Sequence, residues 1–597
     1  MKKSYNNFVW RQGVRSTLMA TAMTLGMTMG MTMGAMGFGT TTAAAQTTKA
    51  PDSSNMSENA VEWNKGVTMG WNLGNYFECD GTGATWYTNW GNPKTTQAMI
   101  KAVKAAGFDA IRIPVRWGEK FDNTNQTVDS KELDMVQEVV DWCLAEDMKV
   151  VINTHHEKPW LETNVNYANK DANLKKLSAI WTAIATRFCD YDGRLAFAGV
   201  NEVLVNWSDA PTAENNEVLN SYHQTFVDAV RATGGRNYYR NLVVQTYACN
   251  PSYGLSGLEI PTDVVEGRLT VEFHYYQPWS YCGGENGAYY WWGNAYSSYG
   301  SVPSENEETI RLLFNRVKKE WMDKGLGVMI GEYGVSNHYD ASASSETQAK
   351  QKENMGYWMQ FMTEECRKRG FSAFVWDNNA QGNGNEKFGL FDRNNSMSTV
   401  YSYILDGIKK GSVATYDPDY GKTEAGKDYV SRDVWTGSGV LNWDEGAQIK
   451  IAASEFANFS TESKIILTYS FDGSASYTNI QFCDQSWSGM TLSSTDGAFT
   501  GSDFDPASHD LTPGTYTTAF AVGQETVTKL KSGGLILQGY GVTLTKIALS
   551  DSGKTTAIRV VGTGQENNRA WGLDGIQIDP RNAKGIMIQN GKLSLKR

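Results

Sequence analysis

No block of Lys and Arg stands out beyond the N-terminus, and the 597 residues carry a net charge of −11. A nucleic-acid or anionic-membrane partner needs a basic face, so neither is expected. After the first 45 residues no apolar run is long enough to span a bilayer. Histidine is scarce, at six, and no His-x-x-x-His or His-x-His pair of the kind zinc sites favour accompanies it. No metal and no other cofactor is therefore expected. Cysteine numbers seven, an odd count for an exported chain, which leaves at least one thiol free. Cys143, Cys189 and Cys366 fall in helical patterns as small buried apolar residues. Cys79, Cys249 and Cys282 lie in loop-like stretches with room for one disulfide and nothing to fix its pairing.

Aromatic residues are abundant instead, with 20 Trp and 29 Tyr, many in stretches rich in Gly, Asn and Ser. Sugar rings expose flat C–H faces that stack on indole and phenol rings, so aromatic loops of this kind suit a carbohydrate ligand. The N-terminus reads as an export signal over residues 1–45. Lys2, Lys3, Arg11 and Arg15 form its basic part, an uncharged stretch follows, and Ala43–Ala45 offer a small-residue cleavage site before Gln46. The expectation is a secreted or cell-surface protein with no membrane span once the signal is removed.

Within residues 46–410 short apolar strands alternate with amphipathic helices. The strand candidates are Val67–Trp71, Ala110–Pro114, Lys149–Asn153, Leu195–Val200, Leu242–Gln245, Leu269–Phe273, Val328–Ile330 and Ala373–Trp376. Apolar residues run continuously rather than alternating, so both faces are buried, as in a parallel sheet. Eight strand–helix units predict an α/β fold, a (β/α)8 TIM barrel with functional residues at the C-terminal strand ends. A doubly wound sheet would show a Gly-rich phosphate turn after its first strand. Gly70-Trp-Asn-Leu-Gly74 is not that turn, because Trp71 and Leu73 are too bulky.

Polar and aromatic residues crowd the strand exits. They include Arg112, His155-His156-Glu157, Asn201-Glu202, His274-Tyr275-Tyr276, Glu332 and Trp376-Asp377. Glu202 and Glu332 each close a buried run, and two such carboxyls are the minimum equipment for cleaving a glycosidic bond. A general acid keeps its proton through burial and a nearby anion, whereas a nucleophile stays ionised beside a cation and donors. Arg112 is the expected cation and Tyr276 the expected donor. Asn201, His155, His156 and His274 can bind hydroxyls or orient carboxyls, and Trp376 supplies a stacking floor. His155 and His156 are neighbours on a strand and should point to opposite faces, which argues against one shared metal.

At these residues the chain resembles glycoside hydrolase family 5, the cellulase-type family of retaining barrel glycosidases. The likeness runs from about Trp63 to Lys410, through Gly-Trp-Asn-Leu-Gly-Asn75, Ile-Arg112-Ile-Pro-Val, His155-His156-Glu, Asn201-Glu202, His274-Tyr-Tyr276, Gly-Glu332-Tyr-Gly and Trp376-Asp-Asn. The resemblance implies Glu202 as acid/base and Glu332 as nucleophile, with Asn75, Arg112, His155, His156, Asn201, His274, Tyr276 and Trp376 binding substrate or supporting it. Val203 departs from the Pro common there. The Trp-Asp-Asn ending resembles subfamily 4, whose members act mainly on β-1,4-glucan backbones. The implied function is a secreted endo-β-1,4-glucanase acting on cellulose-type glucan, mixed-linkage glucan or xyloglucan. A β-mannanase, a xylanase and a non-catalytic carbohydrate-binding surface protein are the alternatives. Aromatic loops at Cys79–Trp90, with Trp86, and Trp279–Tyr299, with Trp291, are expected to provide stacking platforms along an open groove.

Residues 411–433 read as a linker, and 434–551 as an antiparallel β-sandwich. The sandwich resembles jelly-roll modules of bacterial polysaccharide hydrolases, with Trp435, Trp443, Trp487 and Tyr540 as candidate carbohydrate contacts. The tail, 552–597, contains a Lys-Gly-Ile-Met-Ile-Gln-Asn-Gly-Lys592 run similar to type IX secretion sorting tails; the likeness implies that the tail is removed and the protein is left anchored at the cell surface or outside the cell.

Overall fold

The computed structural model describes residues 49–553, apart from 82, 286–287, 419, 421–428, 496–498 and 511–512, together with four strands between 570 and 596. The export segment 1–45 and much of the sorting-like tail lie outside the described residues.

Eight parallel strands close into a barrel in chain order. They are β1 (Gly70–Asn72), β2 (Ala110–Ile113), β3 (Lys149–Asn153), β4 (Leu195–Ala198), β5 (Leu242–Gln245), β6 (Leu269–Tyr275), β7 (Gly327–Tyr333) and β8 (Ser372–Val375). The helix after each is, in turn, Gln97–Ala105, Ser130–Ala145, Tyr167–Arg187, Ala213–Ala232, Pro251–Gly257, Glu307–Glu320, Ser345–Arg369 and Ser402–Ser412. The local chemistry matches the boundaries. Thr212 and Asn215 form a reciprocal capping box at the start of Ala213–Ala232, and Gly370 ends Ser345–Arg369 in the left-handed conformation.

Successive side chains of a strand alternate between the helical layer and the barrel interior. Ala110, Val151, Val243, Met329 and Phe374 belong to an inner apolar cluster that fills the lower barrel. Two residues further along β2, β3 and β5 come Arg112, Asn153 and Gln245, all buried, and β6 carries the buried Glu272. The polar ceiling above a dry core is thus set by a two-residue step along each strand.

Among the described residues the strands of the C-terminal domain pair antiparallel, with short α-helices at Pro506–Asp510 and Gln524–Gly533. Its strands are β9 (Arg432–Asn442), β10 (Ile449–Ile451), β11 (Lys464–Phe471), β12 (Asn479–Cys483), β13 (Leu492–Ser494), β14 (Thr500–Gly501), β15 (Asp503–Phe504), β16 (Gly514–Val522) and β17 (Leu535–Ser550). Residues 535–550 form one long strand. Its first half pairs with β10 and β12, and its second with β11 and β9, so β17 is shared by both faces of the sandwich. In the tail, strands 570–572, 577–578, 585–589 and 592–596 form a four-stranded antiparallel sheet.

Two expectations are corrected here. All seven cysteines are free and buried, including Cys79, Cys249 and Cys282, so the loop disulfide does not form. Trp435 packs against the sandwich core rather than standing clear of it. No helix among the described residues is long and apolar enough to cross a membrane.

Candidate active site

Arg112 is fully buried and organises the site. Its Nη1 donates to Asn72 Oδ1 at 3.1 Å and to Glu332 Oε1 at 3.0 Å. Its Nη2 donates to Asn201 Oδ1 at 2.7 Å and lies 3.0 Å from Glu272 Oε1. One guanidinium therefore joins β1, β2, β6 and β7 to the loop after β4. A buried charge of this kind is tolerable only because its planar fork meets acceptors on several sides.

Glu332 is 7% exposed and held at both oxygens, by Arg112 on one side and by the Tyr276 hydroxyl, which donates to Oε2 at 3.1 Å, on the other. Burial, then the charge of Glu332, holds the Tyr276 phenol well above its ordinary pKa, so it remains a donor. Glu202 is looser, with a side chain 25% exposed and its Oε1 2.8 Å from His274 Nδ1. The same ring nitrogen is 3.5 Å from Glu332 Oε2, and His274 Nε2 is 3.3 Å from Glu272 Oε1. One oxygen each of Glu202 and Glu332 and one His274 nitrogen lie within 4.8 Å of one another. Such spacing could also hold a cation, but Arg112 and His274 already supply positive charge to these carboxylates.

The titration pattern differs from the expected one. Burial raises the pKa of Glu332, and the charge of Glu202 adds to it. For Glu202 burial acts in the same sense, yet the hydrogen bond and charge of His274 outweigh it and hold Glu202 below its ordinary value. The expectation of a raised Glu202 is reversed because His274 Nδ1 stands nearer to it than to Glu332. His274 itself is lowered by burial, but the Cys249 sulfur and the Glu332 and Glu202 carboxylates more than offset this and raise it well above a free imidazole.

The remaining expected residues divide into two groups. His155 is buried, stacks on Trp376 at 5.9 Å with an interplanar angle of 5°, and has Asn201 Nδ2 3.4 Å from its Nε2. His156, at φ 54 and past the end of β3, keeps its ring 4.4 Å from that of His155, so the two do not take the opposite faces expected of strand neighbours, and it meets Trp90 in a T-shaped contact at 5.5 Å. Burial lowers both imidazoles, His156 to about 4, so both are neutral near pH 7. Asn75 takes φ 61 in the loop after β1, where Asn92 Nδ2 donates to its carbonyl at 2.8 Å. Trp86 and Trp291 do not join the site. Trp86 is 7% exposed with Lys120 Nζ 4.0 Å over its ring, and Trp291, also 7% exposed, stacks against both Tyr296 and Tyr299, which touch each other. Each loop folds a small core of its own, which consumes these rings. Among the described residues, the exposed aromatics on loops after the strands are Trp90, Trp207, Trp279, Tyr289, Tyr290 and Tyr299, of which Trp207 is the most open at 67%.

Two residues escape the sequence reading. Glu272 is fully buried and ionised: burial opposes the charge, but Arg112 and His274 overcome it. Gln245 Nε2 donates to Glu272 Oε2 at 2.7 Å, and its Oε1 accepts from Val200 N at 3.1 Å, just before Asn201. The signal was present in β6, where a carboxylate interrupts an otherwise buried run, a placement rarely found without a partner.

Residues 66–382, which contain every side chain of this network, match a single family description. The chain belongs to the cellulase family, glycosyl hydrolase family 5. It is 32% identical over 358 residues to endoglucanase A of Clostridium longisporum, spanning 58% of this chain and 64%, just under two thirds, of that protein. It is 33% identical over 390 residues to endoglucanase A of Paenibacillus barcinonensis, spanning 62% of this chain and 95% of that one. In structure it is similar to the Bacteroides ovatus family 5 xyloglucanase in complex with a XXXG heptasaccharide, with TM-score 0.56 and 32% identity over 61% of this chain and 79% of that one. The barrel of this cellulase-family chain is a glycoside hydrolase of the endoglucanase class.

Proposed function

We propose that the barrel cleaves internal β-1,4 linkages of β-glucan, with or without xyloglucan side chains, by double displacement at Glu332 and Glu202. The 4.8 Å cluster of Glu202, His274 and Glu332 carries this reading. Carboxyls about 5–5.5 Å apart leave room for a glycosyl–enzyme bond, whereas an inverting pair needs about 6.5–9.5 Å to admit a water between them. Glu332, clamped by Arg112 and Tyr276, is the nucleophile. Glu202, more open and tethered through one oxygen, keeps the other for the glycosidic oxygen.

His274 links the roles. While its Nδ1–H points to Glu202, the proton shared by the carboxylates is favoured on Glu332. Turned toward Glu332, the same N–H leaves that carboxylate ionised with a third donor and moves the shared proton to Glu202. The acid then protonates the leaving oxygen as Glu332 attacks the anomeric carbon. In the second step Glu202 deprotonates the water that releases the sugar. Asn201, Asn75, His155, His156 and Trp376 line the site as substrate contacts, and Trp376-Asp377-Asn378 supports placement in subfamily 4. We also assign residues 1–45 to export and the tail to surface retention, which fractionation of cells carrying the full and tail-deleted chains would check.

The purified chain, assayed on mixed-linkage glucan, xyloglucan, carboxymethylcellulose, mannan and xylan, should cleave the first three and release mid-length oligosaccharides early. The first product should be the β-anomer by NMR; an α-anomer would overturn double displacement, and preference for mannan or xylan would overturn the substrate.

Glu272 is a positioning residue in this scheme. Glu272→Gln is expected to lower kcat/KM about 10–100-fold, in the range of lost supporting groups. Removing its negative charge makes the proton shared by Glu202 and Glu332 easier to lose, so the alkaline limb of the pH profile should move to lower pH. A pure stability defect would leave that limb in place.

A further inference from the structure

The outer face of the sandwich carries an aromatic and amide strip that the barrel does not use. In the register of β17 with its neighbours, Tyr540 stands opposite Asn442 of β9 and Asn479 of β12. One step along the same face, Gln538 stands opposite Gln481, which is itself beside Asp503 of β15. A further step brings Ile536 opposite Cys483 and Lys450. The intervening Leu537, Ile480 and Phe482 point into the core, so Ile536, Gln538 and Tyr540 share the opposite face; past Gly541 the alternation shifts, and Val542 and Leu544 belong to the core.

At one end three aromatic side chains form a plate. Tyr477 stacks on Tyr540 with centroids 4.7 Å apart and an interplanar angle of 20°, and Trp443 Nε1 donates to the Tyr477 hydroxyl at 2.8 Å. Trp443 and Tyr477 are 40% and 51% exposed. Gly541, at φ +67, makes the plate possible: a Cβ there would fall 2.5 Å from the Tyr477 carbonyl oxygen. At the other end Trp487 is 46% exposed, with Lys450 Nζ 5.8 Å from its ring centroid. Trp443 and Trp487 both have positive φ, at 67 and 62, a conformation bulky residues rarely adopt and one that marks functional positions. Between the ends the amides are fixed: Gln538 Nε2 donates to Gln481 Oε1 at 2.6 Å, and Gln481 Nε2 to Asp503 Oδ1 at 2.8 Å. From Tyr540 to Gln538 the open part of the strip runs two residues, about 7 Å, and at Ile536 and Cys483 the face is buried.

We propose that this strip binds a short run of β-1,4-glucan chain, with pyranose faces on the Trp443–Tyr477–Tyr540 plate and ring-edge hydroxyls on Gln481, Gln538 and Asp503. A single exposed aromatic needs no explanation, but several clustered on one face beside oriented amides mark a binding surface. The occupant follows from the chemistry. A polymer with equatorial hydroxyls presents flat C–H faces to a flat plate and hydroxyls to its edge, whereas an axial hydroxyl spoils one face. Asp444, Asp484 and Asp503 around the strip disfavour a phosphate-bearing ligand. The choice of glucan rests on the glucanase reading of the barrel, since one chain would then hold the polymer that it cuts.

The test uses the full-length protein and its Tyr477→Ala/Tyr540→Ala variant, with Gln481→Ala/Gln538→Ala as a second variant that leaves the rings in place. Partition onto amorphous insoluble cellulose is measured in the cold, beside hydrolysis of a short soluble cello-oligosaccharide. The ring variant should bind at least ten-fold more weakly, and the amide variant several-fold more weakly, while both hydrolyse the soluble substrate within about two-fold of the parent. Unchanged partition in either folded variant, or equal retention of the parent on insoluble mannan, would overturn the platform and leave the barrel reading standing. Binding retained by a parent that cleaves no β-glucan would strike the barrel reading instead.

Discussion

Glu332→Ala should lower kcat on soluble β-glucan by a factor on the order of 10⁵ or more, the scale seen when a covalent nucleophile is deleted. The loss should be as severe for an aryl glycoside with a good leaving group, because no leaving-group chemistry replaces the missing carbon–oxygen bond. The variant is expected to fold. Arg112 keeps Glu272 at 3.0 Å and Asn201 at 2.7 Å, so its buried charge is not orphaned, and the strong penalty for stranding one member of a buried pair does not apply in full. The space vacated between Arg112 and Tyr276 can admit a small anion. Azide should restore turnover of the aryl glycoside and yield an α-glycosyl azide, since it attacks the face that Glu332 would have used. Near-normal turnover without azide would remove Glu332 from the role, and a β-azide would place the attack on the wrong face.

The barrel was legible because its strands are buried on both faces, so continuous apolar runs located β2 to β8 within a few residues. β1 was placed three residues too early. Thr68 and Met69 look like strand residues, but both direct their backbone N–H groups to the Asp109 carboxylate at 3.0 Å, and the ladder begins only at Gly70. The strand-end residues were equally legible, since Arg112, Asn201, Glu202, His274, Tyr276 and Glu332 do converge. What the sequence could not disclose depends on closure of the barrel. Glu272 acquires its meaning only when β2 and β6 are brought across the lumen, and no local pattern reports that. Trp86 and Trp291 failed for the opposite reason. Gly- and Asn-rich loops look exposed, yet loops this long pack their largest rings on themselves. In the sandwich, Gly539 and Gly541 do not interrupt the long strand Leu535–Ser550. Instead they let one strand pass close to its neighbour, since a Cβ at Gly539 would lie 1.9 Å from the Asn479 carbonyl oxygen.

Glu202→Gln separates the two steps of the chemistry and tests the part assigned to His274. Loss of a general acid typically costs about 10²–10⁴-fold, and that loss is expected on polysaccharide, whose leaving oxygen needs a proton. An aryl glycoside with an acidic leaving group should form the glycosyl enzyme nearly as fast as with the parent and then stall, because no base activates water. A burst of phenol followed by slow turnover is the expected trace. The pH dependence carries a second sign. Glu332 is raised first by burial and further by the charge of Glu202, so replacing that charge with an amide lowers the Glu332 pKa. The nucleophile then stays ionised to lower pH, and the acidic limb for the burst should shift downward. The parent's alkaline limb, which reports loss of the shared proton, should disappear for the burst because the aryl group leaves unassisted. An unshifted acidic limb would mean that the carboxylates do not share a proton, and the His274 scheme would fall with it.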